Sequence, residues 1–301
     1  MQAVASDWLD LGAARRRMGR AAATMDAHAV VQREVAGRML ERLDYIRLQP
    51  RVVLDLGAGT GGAGNGLASR YPKARVLALD AHPELLRQRP RFGLRRRQLP
   101  AVLADARALP LQDGCVDLVF SNLLLPLCTD PALVFAECQR VLRPGGVLLF
   151  SSLGPDTLIE LRRSAEAAFR HDPVHPFIDM HDLGDAMLRA RFADPVVDME
   201  RLTLTYADPD GLFADLRAMG LTNARRDRPR GLVTPGRLQA LRQAYALQAD
   251  GGRLPATVEV IQGHAWASAD PEQQRGPEGE VRVSLSGVRR QLQGGRTRAG
   301  E

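Results

Sequence analysis

Residues 51–62 read Arg51-Val-Val-Leu-Asp-Leu-Gly57-Ala-Gly59-Thr-Gly61-Gly62. The apolar, β-branched run predicts a short buried strand, and the glycines after it predict a tight turn into a helix. Because glycine has no Cβ, a turn of this kind lets a ligand lie directly against the backbone. The spacing also satisfies the pattern G-x-G-x-x-G, so the turn alone is compatible with several ligands, or with none.

Helical patterns alternate with further strand-like runs downstream of this turn. The clearest helix follows Asp130-Pro131, a capping residue with proline in the first turn. Alternation of this kind predicts an α/β fold with a doubly wound, mostly parallel sheet. The further strands are predicted at Arg75–Leu79, Ala101–Leu103, Val116–Ser121, Gly146–Ser151, Pro195–Met199 and Thr257–Gly263.

The pattern changes toward both ends of the chain. An apolar stripe predicts a helix from about Asp26 to Ile46, whereas the residues beyond Ala267 show no apolar period and favour disorder. Three segments are therefore predicted: an N-terminal helical segment at 1–48, a main domain at 49–267 with a helical lid insertion at about 203–255, and a disordered tail at 268–301.

The formal charge is +6, and arginines cluster in three places. Such clusters attract nucleic acid, a membrane surface or an acidic protein, or simply lie in solvent. Aromatic residues make up only 5% of the chain, which disfavours a stacking platform for single-stranded nucleic acid, and the longest apolar runs are strand-sized. Three cysteines without metal-site spacing predict reduced thiols, no metal and a cytoplasmic protein. The arginine clusters lie at 15–20, 89–97 and 225–230.

Acids or amides follow each of the first four strands. Asp80 ends the second strand, where it can accept hydrogen bonds from ribose hydroxyls. Asp105 and Ala106 follow the third strand, where they can pair with an adenine ring, and Asn122 follows the fourth. Together with Asp55, Gly57, Gly59 and Gly61, this pattern resembles the class I methyltransferases. The resemblance implies a Rossmann-like sheet of seven strands and S-adenosyl-L-methionine as cofactor, with a nicotinamide cofactor as the alternative that the literal glycine pattern leaves open.

Several longer strings point to one family. They resemble the malonyl-[acyl-carrier-protein] O-methyltransferases of biotin synthesis, from about Arg16 to Trp266. Family members usually carry aromatic residues where this chain has Met18, Met25 and Leu127. The strings that carry the resemblance are Gly19-Arg20-Ala-Ala-Ala-Thr-Met25-Asp26-Ala-His28, Gly154-Pro155-Asp156-Thr157-Leu158, His181-Asp182-Leu183-Gly184-Asp185, Asp215-Leu216-Arg217 and Leu254-Pro255-Ala256-Thr257.

The resemblance implies methylation of the free carboxylate of a malonyl thioester, with acyl carrier protein as partner and neither nucleic acid nor membrane. A carboxylate is already ionised at pH 7, so transfer to it needs no general base. Arg162, His175, His181 and Arg217 are the candidates for holding the substrate. A related group, the complex I assembly factors that hydroxylate an arginine, shares two of the strings and supplies a second hypothesis, a protein-modifying or assembly factor.

Overall fold

A seven-stranded sheet forms the centre of the computed structural model, which describes residues 8–91, 98–169, 172–229, 231 and 233–268. Its strands are β1 (Val52–Leu56), β2 (Arg75–Asp80), β3 (Ala101–Leu103), β4 (Val116–Ser121), β5 (Leu142–Leu153), β6 (Phe192–Tyr206) and β7 (Leu254–Ala267). They lie in the order β3-β2-β1-β4-β5-β7-β6, and β7 alone runs antiparallel to both of its neighbours. The predicted fold class is confirmed.

Helices cover both faces of this sheet. In chain order they are α1 (Leu11–Ala21), α2 (Met25–His28), α3 (Val30–Arg42), α4 (Gly64–Arg70), α5 (Pro83–Gln88), α6 (Pro131–Val141), α7 (Ile159–Phe169), α8 (Met180–Arg189), α9 (Pro209–Ala218) and α10 (Pro235–Ala246). None of the helices in the described ranges is long and apolar enough to cross a membrane. The predicted tail, residues 92–97 and Arg230 of the arginine clusters lie outside the described residues.

Strand β1 shows why the centre of the sheet is apolar. Leu54 and Leu56 pack into the core on one face, whereas Val53 packs on the opposite face with Val35 and Met39 of α3. Successive side chains of a strand point to opposite faces, so a strand covered on both sides carries apolar side chains on both; in β1 the exception is Asp55. The functional edge of the sheet is the edge where β1, β2 and β4 end.

Two strands are longer than predicted, for a common reason. Strands β6 and β7 extend to Tyr206 and from Leu254, so the segment between them is 207–253 rather than 203–255. β6 is an edge strand whose residues alternate between half-buried and exposed. Its half-buried positions include Asp198 and Glu200, which pair with Arg42 and Arg38 of α3. A polar edge strand lacks the apolar run by which strands are recognised.

The N-terminal segment is also more divided than predicted. The helix expected from Asp26 to Ile46 breaks at Ala29, whose backbone angles (φ −78°, ψ 49°) are not helical, into α2 and α3. An additional helix, α1, begins after Asp10, whose side chain accepts a hydrogen bond from the Ala13 amide. These helices belong to the same compact unit as the sheet.

Candidate active site

A cavity of about 820 Å³ lies at the carboxyl ends of the parallel strands. Its floor is the glycine loop and the ends of β1, β2 and β4, and its other walls come from the N-terminal segment and from helices α9 and α10. Ligands of doubly wound sheets bind at this edge. The cavity brings together seven predicted cofactor residues: Asp55, Gly57, Gly59, Asp80, Asp105, Ala106 and Asn122.

The three glycines of the loop have different surroundings although all have positive φ. A Cβ on Gly57 would lie 2.8 Å from Leu124 Cβ, and one on Gly61 would lie 3.0 Å from Arg89 Cγ. Gly61 does not line the cavity. Only at Gly59 does a Cβ meet no atom within 4 Å. At Gly59, as at the next cavity glycine Gly62, the backbone is therefore open to a ligand, whereas Gly57 and Gly61 make room for neighbouring side chains.

Asp55 is a buried carboxylate, 2% exposed, at the end of β1. Its Oδ2 atom is buried and has no hydrogen-bond partner among the described residues. Burial, with the nearby Asp80 charge, raises the pKa of Asp55 to about 7. A buried acid without a partner is costly, and a cationic group entering the cavity would stabilise its charged form.

Asp80 at the end of β2 is held by three donors from the protein. Its Oδ2 accepts from the Gly59 amide at 2.9 Å, and its Oδ1 accepts from the His82 amide and ring Nδ1 at 2.8 and 2.9 Å. These protein donors occupy most of the acceptor sites of Asp80, the residue that the sequence predicts to accept from ribose hydroxyls. His82 itself lines the cavity and was not predicted as a site residue.

Asp105 follows β3 and forms a two-pronged ion pair with Arg107, with Nε and Nη2 at 3.0 and 2.8 Å. This hydrogen bonding is the main reason that the pKa of Asp105 falls to about 2. Arg15 of α1 reaches the same carboxylate at 3.4 Å. Ala106 is buried beside it. The carboxylate is therefore ionised and fixed in place at the cavity wall.

The Asn122 side chain is also used within the protein. It donates to the Gln32 carbonyl at 2.9 Å and accepts from the Ser151 hydroxyl at 2.9 Å. These bonds tie helix α3 to the ends of β4 and β5, so the side chain positions the wall of the cavity. The Gln32 Oε1 atom is buried without a partner, and Gln32 lines the cavity. Sequence patterns miss such a residue because it lies in a helix far from the strand ends.

The N-terminal segment closes onto the glycine loop and onto the segment between β6 and β7. Thr60 of the loop donates its hydroxyl to Asp26. Thr24 donates to the Ala218 carbonyl at 2.8 Å, and the Asp10 amide donates to the Ala224 carbonyl at 2.8 Å. The family string around Asp26 therefore joins the glycine loop to the segment between β6 and β7, over the cavity.

The half of the cavity below α9 and α10 is apolar. A separate hydrophobic cluster, which includes Leu161, Leu212 and Leu241, packs these helices against α7. Leu158 enters this wall with a left-handed backbone (φ +56°). Side chains that line this half are Leu158, Leu161, Phe169, Val174, Phe177, Leu204, Leu212, Phe213, Leu216, Leu238 and Leu241.

The string Gly154-Pro155-Asp156-Thr157-Leu158 forms the clamp that holds Leu158 in place. Glu259 of β7 accepts from the Asp156 amide at 2.6 Å, and the Leu158 amide donates to the Thr257 carbonyl at 2.7 Å. The Thr257 amide in turn donates to Glu160 at 3.0 Å. These partly buried bonds hold Leu158 in its left-handed conformation at the cavity wall.

Of the four candidates for holding the substrate, two line the cavity and two lie outside it. Arg217 and His175 line the cavity. Arg162 does not; it pairs with Asp172 at 2.5 Å. His181 is also outside, with its side chain 81% exposed and bonded to Asp179, the residue that caps α8. Arg162 therefore joins α7 to the following loop and His181 lies on the surface, so neither of these two predicted side chains lines the cavity.

Arg217 and His175 differ in chemistry. Burial, with the nearby Arg225 and Arg17 charges, lowers the pKa of His175 to about 4, and its Nε2 accepts from the Ala224 amide at 3.2 Å. His175 is therefore a neutral structural residue. Arg217 is exposed at the rim, and among the described residues its guanidinium has no hydrogen-bond or ion-pair partner. It is the cavity's candidate for binding an anion.

The three departures from the family's aromatic positions lie together. Met18, Met25 and Leu127 pack with Ala22 and Leu85 in one small cluster, which forms a wall of the cavity. Because Met18, Met25 and Leu127 pack against the same neighbours, the loss of an aromatic ring at one of these positions changes the space available at the other two. Across the described ranges, no group of three His, Cys, Asp or Glu side chains is placed to hold a metal ion.

Comparisons with known proteins agree with this geometry. A family model described as a methyltransferase domain matches residues 54–150. The chain is 46% identical to a malonyl-[acyl-carrier protein] O-methyltransferase of Halorhodospira halophila over 284 residues, which is 94% of this chain and 96% of that protein. A protein of the same name from Methylovorus is 47% identical over 266 residues, covering 86% and 89%.

A solved structure supports the fold alone. The crystal structure of a methyltransferase from Bacillus halodurans, described as putative in its own name, has a TM-score of 0.53 and 20% identity, and the match covers 76% of this chain and 98% of that one. The identity to the curated relatives carries the assignment further, and their names favour methyl transfer over the nicotinamide and assembly-factor alternatives. The chain belongs to the malonyl-[acyl-carrier protein] O-methyltransferase family.

Proposed function

We propose that this protein transfers a methyl group from S-adenosyl-L-methionine to the free carboxylate of a malonyl thioester on acyl carrier protein. The observation that carries the proposal is the composition of the cavity. One half holds the unpartnered Asp55 carboxylate and the open backbone of Gly59, and the other half is apolar with the unpaired Arg217 at its rim. An ammonium group fits the first half, and an anionic acyl group fits the second.

The residues at the strand ends fit S-adenosyl-L-methionine. Asp55 would bind its ammonium group, Gly59 would lie against its amino acid portion, and Asp80 would bind the ribose. Asp105 and Ala106 would bind the adenine, while Gly57, Gly61 and Asn122 shape the loop and wall around it. When bound, this cofactor supplies an electrophilic methyl group on a sulfonium.

The acceptor side needs positioning and exclusion of water rather than a base. A malonyl carboxylate is ionised at neutral pH, so no proton has to be removed. We assign Arg217 the role of holding the acyl group's polar end, because a guanidinium binds carboxylates and carbonyls through several donors. Segment 207–253 acts as a lid whose apolar side chains exclude water. Fixing the two reacting groups in line supplies roughly 7–11 kcal/mol of the barrier.

Charge at the rim suits an acidic partner. Arg217 and Arg242 lie on neighbouring helices at the cavity, and Arg242 is held by Asp210 at 2.8 Å. Acyl carrier protein is acidic, so these arginines would speed its encounter with the cavity. We place the reaction in the cytoplasm, where Cys115, Cys128 and Cys138 would remain reduced.

The direct test incubates the protein with methyl-labelled S-adenosyl-L-methionine and malonyl-carrier protein. We expect a base-labile methyl ester on the carrier protein. Acetyl-carrier protein, which lacks the free carboxylate, is the matched control and should stay unlabelled. Labelling of both carrier proteins, or of neither while a family member works in parallel, would overturn the proposal. Growth of a biotin-requiring strain that lacks this methylation step would support it in cells.

A further inference from the structure

His82 is a cavity residue whose role neither the sequence pattern nor the family assignment supplies. It follows β2 and lies two residues after Asp80. Its side chain is 15% exposed and lines the cavity beside Ala81, Leu85 and Asp105.

The hydrogen bonds of Asp80 limit what it can offer a ligand. It accepts from the Gly59 amide, the His82 amide and His82 Nδ1. A carboxylate has about four acceptor sites, so roughly one remains for a ligand hydroxyl. A ribose presents two neighbouring hydroxyls. Asp80 alone is therefore one acceptor short.

The second acceptor is next to it. Because the Asp80 carboxylate accepts from Nδ1, that nitrogen carries the hydrogen, and in the neutral ring the lone pair lies on Nε2. Nε2 is buried and has no hydrogen-bond partner among the described residues. A buried polar atom without a partner costs stability, and a ligand hydroxyl would remove that cost.

We propose that His82 Nε2 accepts a hydrogen bond from one ribose hydroxyl of the cofactor while the remaining site of Asp80 accepts from the other. The inference deepens the proposed function, since it rests on the same cofactor. In this arrangement Asp80 has two roles: it binds one hydroxyl, and its hydrogen bond to Nδ1 fixes the orientation of the His82 ring at the cavity wall.

The test measures affinities by calorimetry for S-adenosylhomocysteine and for its 2′-deoxy and 3′-deoxy analogues. His82→Asn keeps a side-chain donor for Asp80 but has no atom at the Nε2 position, whereas His82→Ala removes both. We expect both variants to bind S-adenosylhomocysteine about five- to tenfold more weakly than the unchanged protein, the loss typical of one hydrogen bond. One of the two deoxy analogues should then lose no further affinity in His82→Asn.

Two outcomes would contradict the inference. If His82→Asn binds S-adenosylhomocysteine as tightly as the unchanged protein, His82 only orients Asp80 and the inference is wrong. If both deoxy penalties persist in the variant, the ring does not contact the ribose. His181→Asn, an exposed histidine outside the cavity, is the matched control and should change nothing.

Two further measurements distinguish failure of this inference from failure of the proposed function and from misfolding of the variants. If the unchanged protein fails to bind S-adenosylhomocysteine, the proposed function fails rather than this inference alone. Should the variants not fold, nitrogen-15 NMR of histidine-labelled, unchanged protein decides. The Nε2 resonance of His82 should shift when S-adenosylhomocysteine binds and shift less with one deoxy analogue; a resonance that does not move would refute the contact.

Discussion

His28 Nδ1 lies 2.7 Å from Asp215 Oδ1, and this contact joins helix α2 of the N-terminal segment to helix α9 of the proposed lid. The other oxygen of Asp215 accepts from the Tyr206 hydroxyl at 2.9 Å. Burial and this hydrogen bond raise the pKa of Tyr206, so the phenol stays protonated and keeps donating. Asp215 therefore links two family strings across the roof of the cavity.

Replacing this carboxylate should loosen the roof. Asp215→Ala leaves His28 and the Tyr206 hydroxyl without their partner, and we expect a loss of about 1 kcal/mol of unfolding free energy because the groups are partly exposed. Amide hydrogen exchange should rise in residues 207–228, with weaker binding of S-adenosylhomocysteine. Asp185→Ala, on the exposed side of α8, is the control. Unchanged exchange in 207–228 would show that the contact does not hold the lid.

Asp55 should make cofactor affinity depend on pH. Its pKa of about 7 means that the carboxylate ionises only as the pH rises through that value, so affinity for S-adenosylhomocysteine should rise between pH 6 and 8. Asp55→Asn should bind weakly with little of this dependence. Asp105→Asn should keep the dependence, because the pKa of Asp105 is about 2. Calorimetric titrations at several pH values check this, and an Asp55→Asn affinity equal to that of the unchanged protein at pH 8 would contradict it.

The same acid should cost stability when no cofactor is bound. The pKa of Asp55 is higher in the folded protein than its ordinary value of 3.8, so the folded state binds the proton more tightly. Stability is therefore lost as the pH rises from about 4 to 7. Asp55→Asn should remove this part of the loss and unfold at higher denaturant concentration than the unchanged protein at pH 8. Chemical unfolding curves at pH 5 and 8 measure the difference.

Two glycines of the loop should respond differently to the same substitution. Gly59→Ala costs about 1–2 kcal/mol for its left-handed backbone, and its methyl group enters open space in the cavity. Gly57→Ala adds an overlap with Leu124, so it should destabilise the fold more. Gly145→Ala is matched to Gly59→Ala, since its φ is also positive and its Cβ also meets nothing.

Melting temperature and S-adenosylhomocysteine affinity distinguish these three variants. Gly59→Ala and Gly145→Ala should melt at similar temperatures, while only Gly59→Ala loses affinity, by tenfold or more. Equal affinities for the two would mean that the cofactor does not lie against Gly59.

Arg217 should affect the acceptor and not the cofactor. Arg217→Gln removes the charge at the rim, and we expect KM for malonyl-carrier protein to rise about tenfold, the equivalent of one charged hydrogen bond. Affinity for S-adenosylhomocysteine should stay unchanged. Arg162→Gln supplies the contrast, because Arg162 pairs with Asp172 outside the cavity and should lower the melting temperature with little effect on KM. Steady-state kinetics with varied carrier protein provides the measurement.

The sequence by itself determined the fold class and the position of the cofactor edge. Strand and helix periods are local properties, and parallel strands bring their carboxyl ends to one edge, so Asp55, Asp80 and Asp105 had to lie near each other. The glycine loop was also recognisable from the sequence, because its residues follow one another in the chain. Asp130 and Thr234 were recognisable as helix caps for the same reason.

Tertiary structure alone decided which of those side chains remain available to a ligand. The Asn122 side chain is hydrogen-bonded to Gln32 and Ser151, and Arg162 is ion-paired outside the cavity. His82 donates a hydrogen bond to Asp80 at the end of β2. The outcome at Asn122 depends on partners that are distant in the chain, since Gln32 and Ser151 are separated from it by 90 and 29 positions in sequence number. A local pattern contains no information about such partners, because the packing of whole elements brings them together.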